Sequence, residues 1–171
     1  MPRYVAFLRG VTPQNLAMAR LRAAMEQAGF ADVRTVLSSG NVAFSTRATG
    51  EESLARRVES AIASTVGRPF AAIVRGTDVL DALLASDPFA ALAVPSGAKR
   101  VVTFLRAPHA GTLRFPIARD GASILGMRER EAFTAYLPHP KGPVFMTLIE
   151  QTFGTEVTTR TWDTVRKCAA A

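Results

Sequence analysis

The sequence is poor in the residues that most directly carry chemistry. Its one cysteine, Cys168, rules out a disulfide within the chain, and the setting Cys168-Ala169-Ala170-Ala171 suits neither a metal ligand nor a thiol nucleophile. The two histidines, His109 and His139, each adjoin a proline and are far apart, so they form no metal pair. Each reads as a loop residue that becomes a general base only if the fold seats it in a cleft. No apolar run is long enough to span a membrane, and Met1-Pro2-Arg3-Tyr4 leads straight into a strand-like segment rather than a signal peptide. A cytoplasmic protein with no membrane partner is therefore expected. The phosphate loop G-x-x-x-x-G-K-[ST], the dinucleotide fingerprint G-x-G-x-x-G and the G-x-S-x-G elbow are all missing. That counts against nucleotide hydrolysis, dinucleotide redox and esterase chemistry, and no cofactor is implied.

What is present is enough apolar material for a real core. Of 171 residues, 48% are hydrophobic and the mean hydropathy is +0.13, which fits one globular domain or two small ones packed together. The net charge of +7 favours anionic partners. Only Lys99, Lys141 and Lys167 are lysines, which leaves 18 arginines among the 21 basic residues. They are spread along the chain with no run of five, unlike a nucleic-acid arm, and with so many alanines they also fit the bias of a GC-rich coding sequence and a solvated basic surface.

Taken in order, Tyr4 to Leu8 is apolar on both faces, the pattern of a central strand, and stops at Arg9-Gly10. Thr12-Pro13-Gln14-Asn15 offers helix-start chemistry, Leu21, Ala24, Met25 and Ala28 recur at helical spacing, and Gly29-Phe30 closes that helix. Val33–Leu37 and Val42–Phe44 read as the arms of a hairpin turning through Ser38-Ser39-Gly40-Asn41. Thr49 with Glu52 fits a capping box for a second helix carrying Leu54, Val58, Ile62 and Val66, which Gly67 ends, and Phe70–Val74 is the next strand.

The order βαββαβ over residues 1–76 predicts an α+β fold with a ferredoxin-like unit. Residues 77–171 are expected to form a second α+β half, possible as part of one compact domain. It would hold a short helix at Val79–Leu84, strands at Val101–Leu105, Leu113–Ile117, Ala122–Met127 and Ala132–Leu137, a helix at Pro143–Phe153 and a last one at Trp162–Lys167. Glu129-Arg130-Glu131 reads as alternating charge on a solvated face.

In that topology Arg9-Gly10, the first helix start at Thr12 to Asn15, the tip Ser38 to Asn41 and Gly67-Arg68 share one edge. Helix-start amides, the side chains of Ser39 and Asn41 and an arginine fork would together hold a small anion. The same Gly40 and Asn41 also suit a tight turn needing positive φ, with the serines satisfying turn backbone, so both roles stay open.

These residues carry a family resemblance as well. Tyr4-Val5-Ala6-Phe7-Leu8-Arg9-Gly10-Val11, Met18-Ala19-Arg20-Leu21-Arg22, Gly29-Phe30, Val33-Arg34-Thr35, Ser39-Gly40-Asn41-Val42-Ala43-Phe44 and Thr158-Thr159-Arg160-Thr161-Trp162-Asp163-Thr164-Val165 resemble domain-of-unknown-function family 1697, in matching order over nearly the whole chain. The resemblance implies a mostly bacterial set of cytoplasmic proteins and names no activity. The family's Asn-Val-Gly-Gly-Lys-Asn-like loop is replaced by the shorter Val11-Thr12-Pro13-Gln14-Asn15, in which Asn15 matches the final asparagine. Within the carboxy-terminal motif, Arg160 and Trp162 would supply a guanidinium and an aromatic face, with Trp162 equally suited to anchoring the last helix in the core. Ligand-binding candidates are thus Arg9, Gly10, Thr12, Asn15, Ser39, Gly40, Asn41, Arg160 and Trp162. Single-stranded nucleic-acid binding across a sheet bearing Phe7, Phe44 and Phe70 is the second reading, and an enzyme without an identified nucleophile or metal cluster the third.

Overall fold

Alternation along the first strand determines where the first sheet buries its surface. In the computed structural model, which describes residues 1–171, β1 (Arg3–Leu8) turns Tyr4, Ala6 and Leu8 to one face and Val5 and Phe7 to the other, and all five are buried. Next come α1 (Met18–Gln27), β2 (Ala31–Val36), β3 (Asn41–Ser45), α2 (Glu51–Val66) and β4 (Ala72–Gly76). After α3 (Thr77–Ser86) and a 3-10 turn at Pro88–Ala91 follow β5 (Lys99–Leu105), β6 (Ile117–Arg119), β7 (Ala122–Arg128) and β8 (Glu131–Tyr136). The chain ends with α4 (Val144–Phe153), β9 (Val157–Thr161) and α5 (Trp162–Ala170). The protein is α+β, with two antiparallel sheets and five α-helices. It divides into one unit of Met1–Ala82 with Arg166–Ala171 and a second of Leu83–Val165.

In the first unit the strand order is β2-β3-β1-β4, every neighbouring pair antiparallel. Both α1 and α2 pack on the face carrying Tyr4, Ala6 and Leu8, through Leu21 and Met25 and through Leu54, Val58 and Ile62. Phe44 sits at the centre, with ring centroids 4.7 Å from Phe30 and 5.9 Å from Tyr4. Gly67, with φ of +76°, ends α2 in the left-handed conformation and donates its amide to Ala63 O at 2.9 Å. The amides of Ala72 and Gly76 on the outer edge of β4 are taken up by α2: they donate to Glu59 Oε2 at 3.1 Å and to Glu51 Oε2 at 2.8 Å.

The second unit orders its strands β6-β7-β8-β5-β9. Leu148 and Ile149 of α4 cover Leu105, Ala122, Ile124, Ala132 and Val157. On the opposite face, Phe89 meets Phe133 and Trp162 edge-on at 5.7 and 5.2 Å. Buried threonines run through this sheet, and Thr103 and Thr159 satisfy each other across β5 and β9 at 2.9 Å.

Several local expectations need correction. Helix α1 starts at Met18, not at Thr12–Asn15, because Thr12 and Asn15 spend their side chains on a turn of their own. There is no capping box at α2: Gly50 is the N-cap, and the Thr49 hydroxyl points back to Arg47 O at 2.7 Å. The expected strand at Leu113–Ile117 forms at Ile117–Arg119 instead. Strand β9, Val157–Thr161, forms where the sequence pattern predicts no strand, since Val-Thr-Thr-Arg-Thr is β-branched but has little apolar signal. Glu129 and Arg130 form the β7–β8 turn, and Glu131 is buried rather than on a solvated face.

Two stability outcomes follow from this packing. Phe44→Ala should lower the urea unfolding free energy by about 3–5 kcal/mol, the range for emptying a packed aromatic site. Glu59→Ala should cost about 1–3 kcal/mol by leaving the Ala72 amide without its acceptor, while Glu52→Ala on the same helix should stay within about 0.5 kcal/mol.

Candidate functional site

The end of β1 and the hairpin tip meet through backbone register. Phe7 pairs with Asn41 and the Leu8 amide donates to Gly40 O at 2.8 Å, so the end of β1 lies against the turn of residues 37–40 that holds Ser39. On its other side Arg9 donates its amide to Ala71 O at 2.9 Å, so the residue is held between the tip and the approach to β4. Gly40 has φ of +87°, and a Cβ built there would lie 2.8 Å from Val11 Cγ2 and 3.0 Å from Leu8 Cβ. Both its conformation and its neighbours therefore call for glycine.

The polar residues around this junction differ in use. Asn41 is fully buried and its Nδ2 donates to Val36 O at 2.9 Å and Ser39 Oγ at 3.0 Å, closing the turn from within. The Thr12 amide donates to Asn15 Oδ1 at 2.8 Å, the Asn15 amide to Thr12 Oγ1 at 3.3 Å, and Asn15 Nδ2 to Gly10 O at 2.8 Å. With α1 beginning at Met18, the helix-start amides are not those of Thr12 to Asn15. Arg9 is half-buried, while Gly10, Ser38 and Ser39 are exposed, and Arg68 lies over the Phe70 ring at 4.9 Å.

Arg160 and Trp162 both belong to the second unit. Arg160 is buried on β9 and its Nη1 donates to Thr158 Oγ1 at 2.6 Å and Thr159 O at 2.9 Å. Trp162, 4% exposed, opens α5 and packs on Phe89, the role of a core anchor. His139 Nδ1 accepts the Lys141 amide at 3.1 Å, and His109 meets Phe153 edge-on. No group of three or more His, Cys, Asp or Glu side chains could hold a metal ion. The Arg22 guanidinium is held above its ordinary pKa by the hydrogen bond it donates to Glu26 and by that carboxylate's charge.

A feature not singled out from sequence is an open groove of about 520 Å³ between α1 and α2, lined by Ala24, Gln27, Arg56, Arg57, Ser60 and Ser64 among others. Its trace in the sequence is the spacing Arg56-Ser60-Ser64 beside Arg57-Ala61-Thr65, two rows at intervals of four on α2.

The model of a family described as a protein of unknown function, DUF1697, matches residues 1–124. No curated protein matches the chain. Among solved structures it is similar to a conserved bacterial protein from Streptococcus pneumoniae, at a TM-score of 0.66 and 17% identity, covering 99% of this chain and 97% of that one. That likeness is one of fold.

Gly40→Ala should destabilise the protein by at least about 1–2 kcal/mol, from a strained backbone and contact with Val11 together. Gly10→Ala, with positive φ but open space around it, should cost less in the same thermal unfolding series.

Proposed function

The chain belongs to the DUF1697 family, and we propose that it binds a small anionic ligand on the edge formed by Arg9-Gly10 and the hairpin tip. The observation that carries this reading is the meeting of the end of β1 with the hairpin turn, where the Leu8 amide donates to Gly40 O at 2.8 Å and Gly40 is closed in by Leu8 and Val11. An arginine fork and a serine hydroxyl carried on neighbouring segments of pinned backbone suit an oxyanion, which takes a charge-assisted pair from the guanidinium and a further donor from serine. The surrounding charge supports it: the first unit holds twelve basic side chains against seven acidic ones. In this reading Asn41, Thr12 and Asn15 shape the rim from behind.

The reading takes residues 1–76 as a ferredoxin-like unit and 77–171 as a second α+β half. The order β2-β3-β1-β4 with α1 and α2 on one face supports the first part. It also takes the protein to be a bacterial cytoplasmic one, in keeping with the bacterial protein that shares its fold. Single-stranded nucleic acid is the weaker alternative, because base stacking needs open rings and Phe7, Phe44 and Phe70 are buried.

Titration with orthophosphate, sulfate and pyrophosphate, read by thermal shift and calorimetry, tests the rim. Arg9→Ala should weaken the best anion about 10-fold or more, the worth of one charge-assisted hydrogen bond, and Ser39→Ala by a smaller factor. Absence of stabilisation by any anion, or an unchanged affinity after Arg9→Ala, would overturn the proposal.

A further inference from the structure

We propose that the groove between α1 and α2 is a second binding site, distinct from the Arg9 rim, for an elongated small molecule carrying a phosphate group at each end. Along α2 the rows Arg56-Ser60-Ser64 and Arg57-Ala61-Thr65 face Ala24, Gln27 and Ala28 of α1. Ala24, Ala28 and Ala61 contribute short side chains to the lining, and Arg56, Arg57 and Gln27 contribute long ones. None of the residues lining the groove is acidic. The nearby carboxylates are engaged elsewhere: Glu26 accepts Arg22 Nε at 2.8 Å, and Glu59 accepts the Ala72 amide at 3.1 Å. Glu52 pairs with Arg56 at 3.6 Å on an exposed helix surface, a contact that solvent weakens.

Arg57 lines one end of the groove, and Arg20, just outside the lining, reaches the other end at Thr65; each is held in position. Arg57 lies over the Phe30 ring at 4.6 Å. Arg20 reaches from the start of α1 to Thr65, donating from Nη2 to the carbonyl oxygen at 3.1 Å. Arg57 and Thr65 are separated by about 12 Å of helix, a span that one compact anion does not cover and a bisphosphorylated molecule does. The exposed hydroxyls of Ser60 and Ser64 lie between and can donate to phosphate oxygens or to the connecting portion of the ligand. Guanidinium forks bind phosphate bidentately, and prior fixing of the side chains lowers the entropy lost on binding.

Calorimetric titration of the full chain with a hexose 1,6-bisphosphate, orthophosphate and the eight-carbon dicarboxylate suberate tests the site. The bisphosphate should bind about 10-fold or more tighter than either other probe, and Arg57→Gln and Arg20→Gln should each weaken it about 10-fold, as for loss of a charged hydrogen-bonding partner. Ser64→Glu places negative charge in the groove from an exposed position and should weaken binding at least as much, so the test survives if loss of the Arg57–Phe30 contact unsettles the fold. Arg9→Ala, in the rim, and Arg114→Ala, an exposed arginine of the second unit, should each change the affinity less than about twofold. Binding of orthophosphate or suberate as tight as that of the bisphosphate would overturn the proposal. So would equal losses in Arg114→Ala, loss in Arg9→Ala with the groove variants unaffected, or no binding at all. The rim is judged separately by its own anions in Arg9→Ala, so either site can fail while the other stands.

Discussion

Strand β1 is hydrogen-bonded along both edges and buried on both faces, and the placement of everything else in the first unit depends on that condition. A strand with no exposed side cannot slip by one residue without driving its apolar set onto the wrong face, so its register with β3 and β4 is tightly specified. Pairing Phe7 with Asn41 and Leu8 with Ala72 then determines which residues meet where β1 ends. Arg9 owes its position between the hairpin tip and β4 to the five buried side chains before it, and the chemistry proposed for the rim is an extension of that packing.

The elements that could be read from sequence were those whose signal is local. Tyr4 to Leu8 announces a central strand, and Leu54, Val58 and Ile62 announce α2 with Gly67 as its stop, and each forms close to where the pattern puts it. The errors share a cause. Thr12 and Asn15 have the composition of a helix start, but short polar side chains serve a turn equally well, and here they close on each other. Strand β9 has β-branched threonines where a hydropathy pattern looks for apolar residues, and they become legible only once β5 lies alongside to pair with them. Asn41 was legible as a turn residue, yet its complete burial depends on β1 and β2 flanking β3.

The groove shows the same limit for sites. The rows on α2 are its only trace along the chain, and they become a groove only beside α1, because the lining comes from both helices, brought together by a shared apolar core. The two proposed sites also differ in what positions their arginines: a backbone hydrogen bond to Ala71 at Arg9, an aromatic ring and a carbonyl oxygen at Arg57 and Arg20. By contrast, the guanidinium of Arg160 lies inside the second unit and serves β9's own hydroxyl and carbonyl groups. Eighteen arginines therefore do not make a uniform basic coat.

The contacts of Glu51 and Glu59 with β4 work as a vernier between two rulers of different pitch. Eight residues of helix advance about 12 Å, and the four residues from Ala72 to Gly76 advance about 13 Å, so two carboxylates at that interval reach alternate outward amides of a strand running beside the helix. The match occupies hydrogen-bonding positions that an added strand would need. At the opposite margin β2 breaks its ladder between Ala31 and Arg34, where Asp32 takes a φ of +46°. The sheet thus has a helix as the selvedge on one side and an irregular strand on the other, which discourages growth by edge-to-edge pairing.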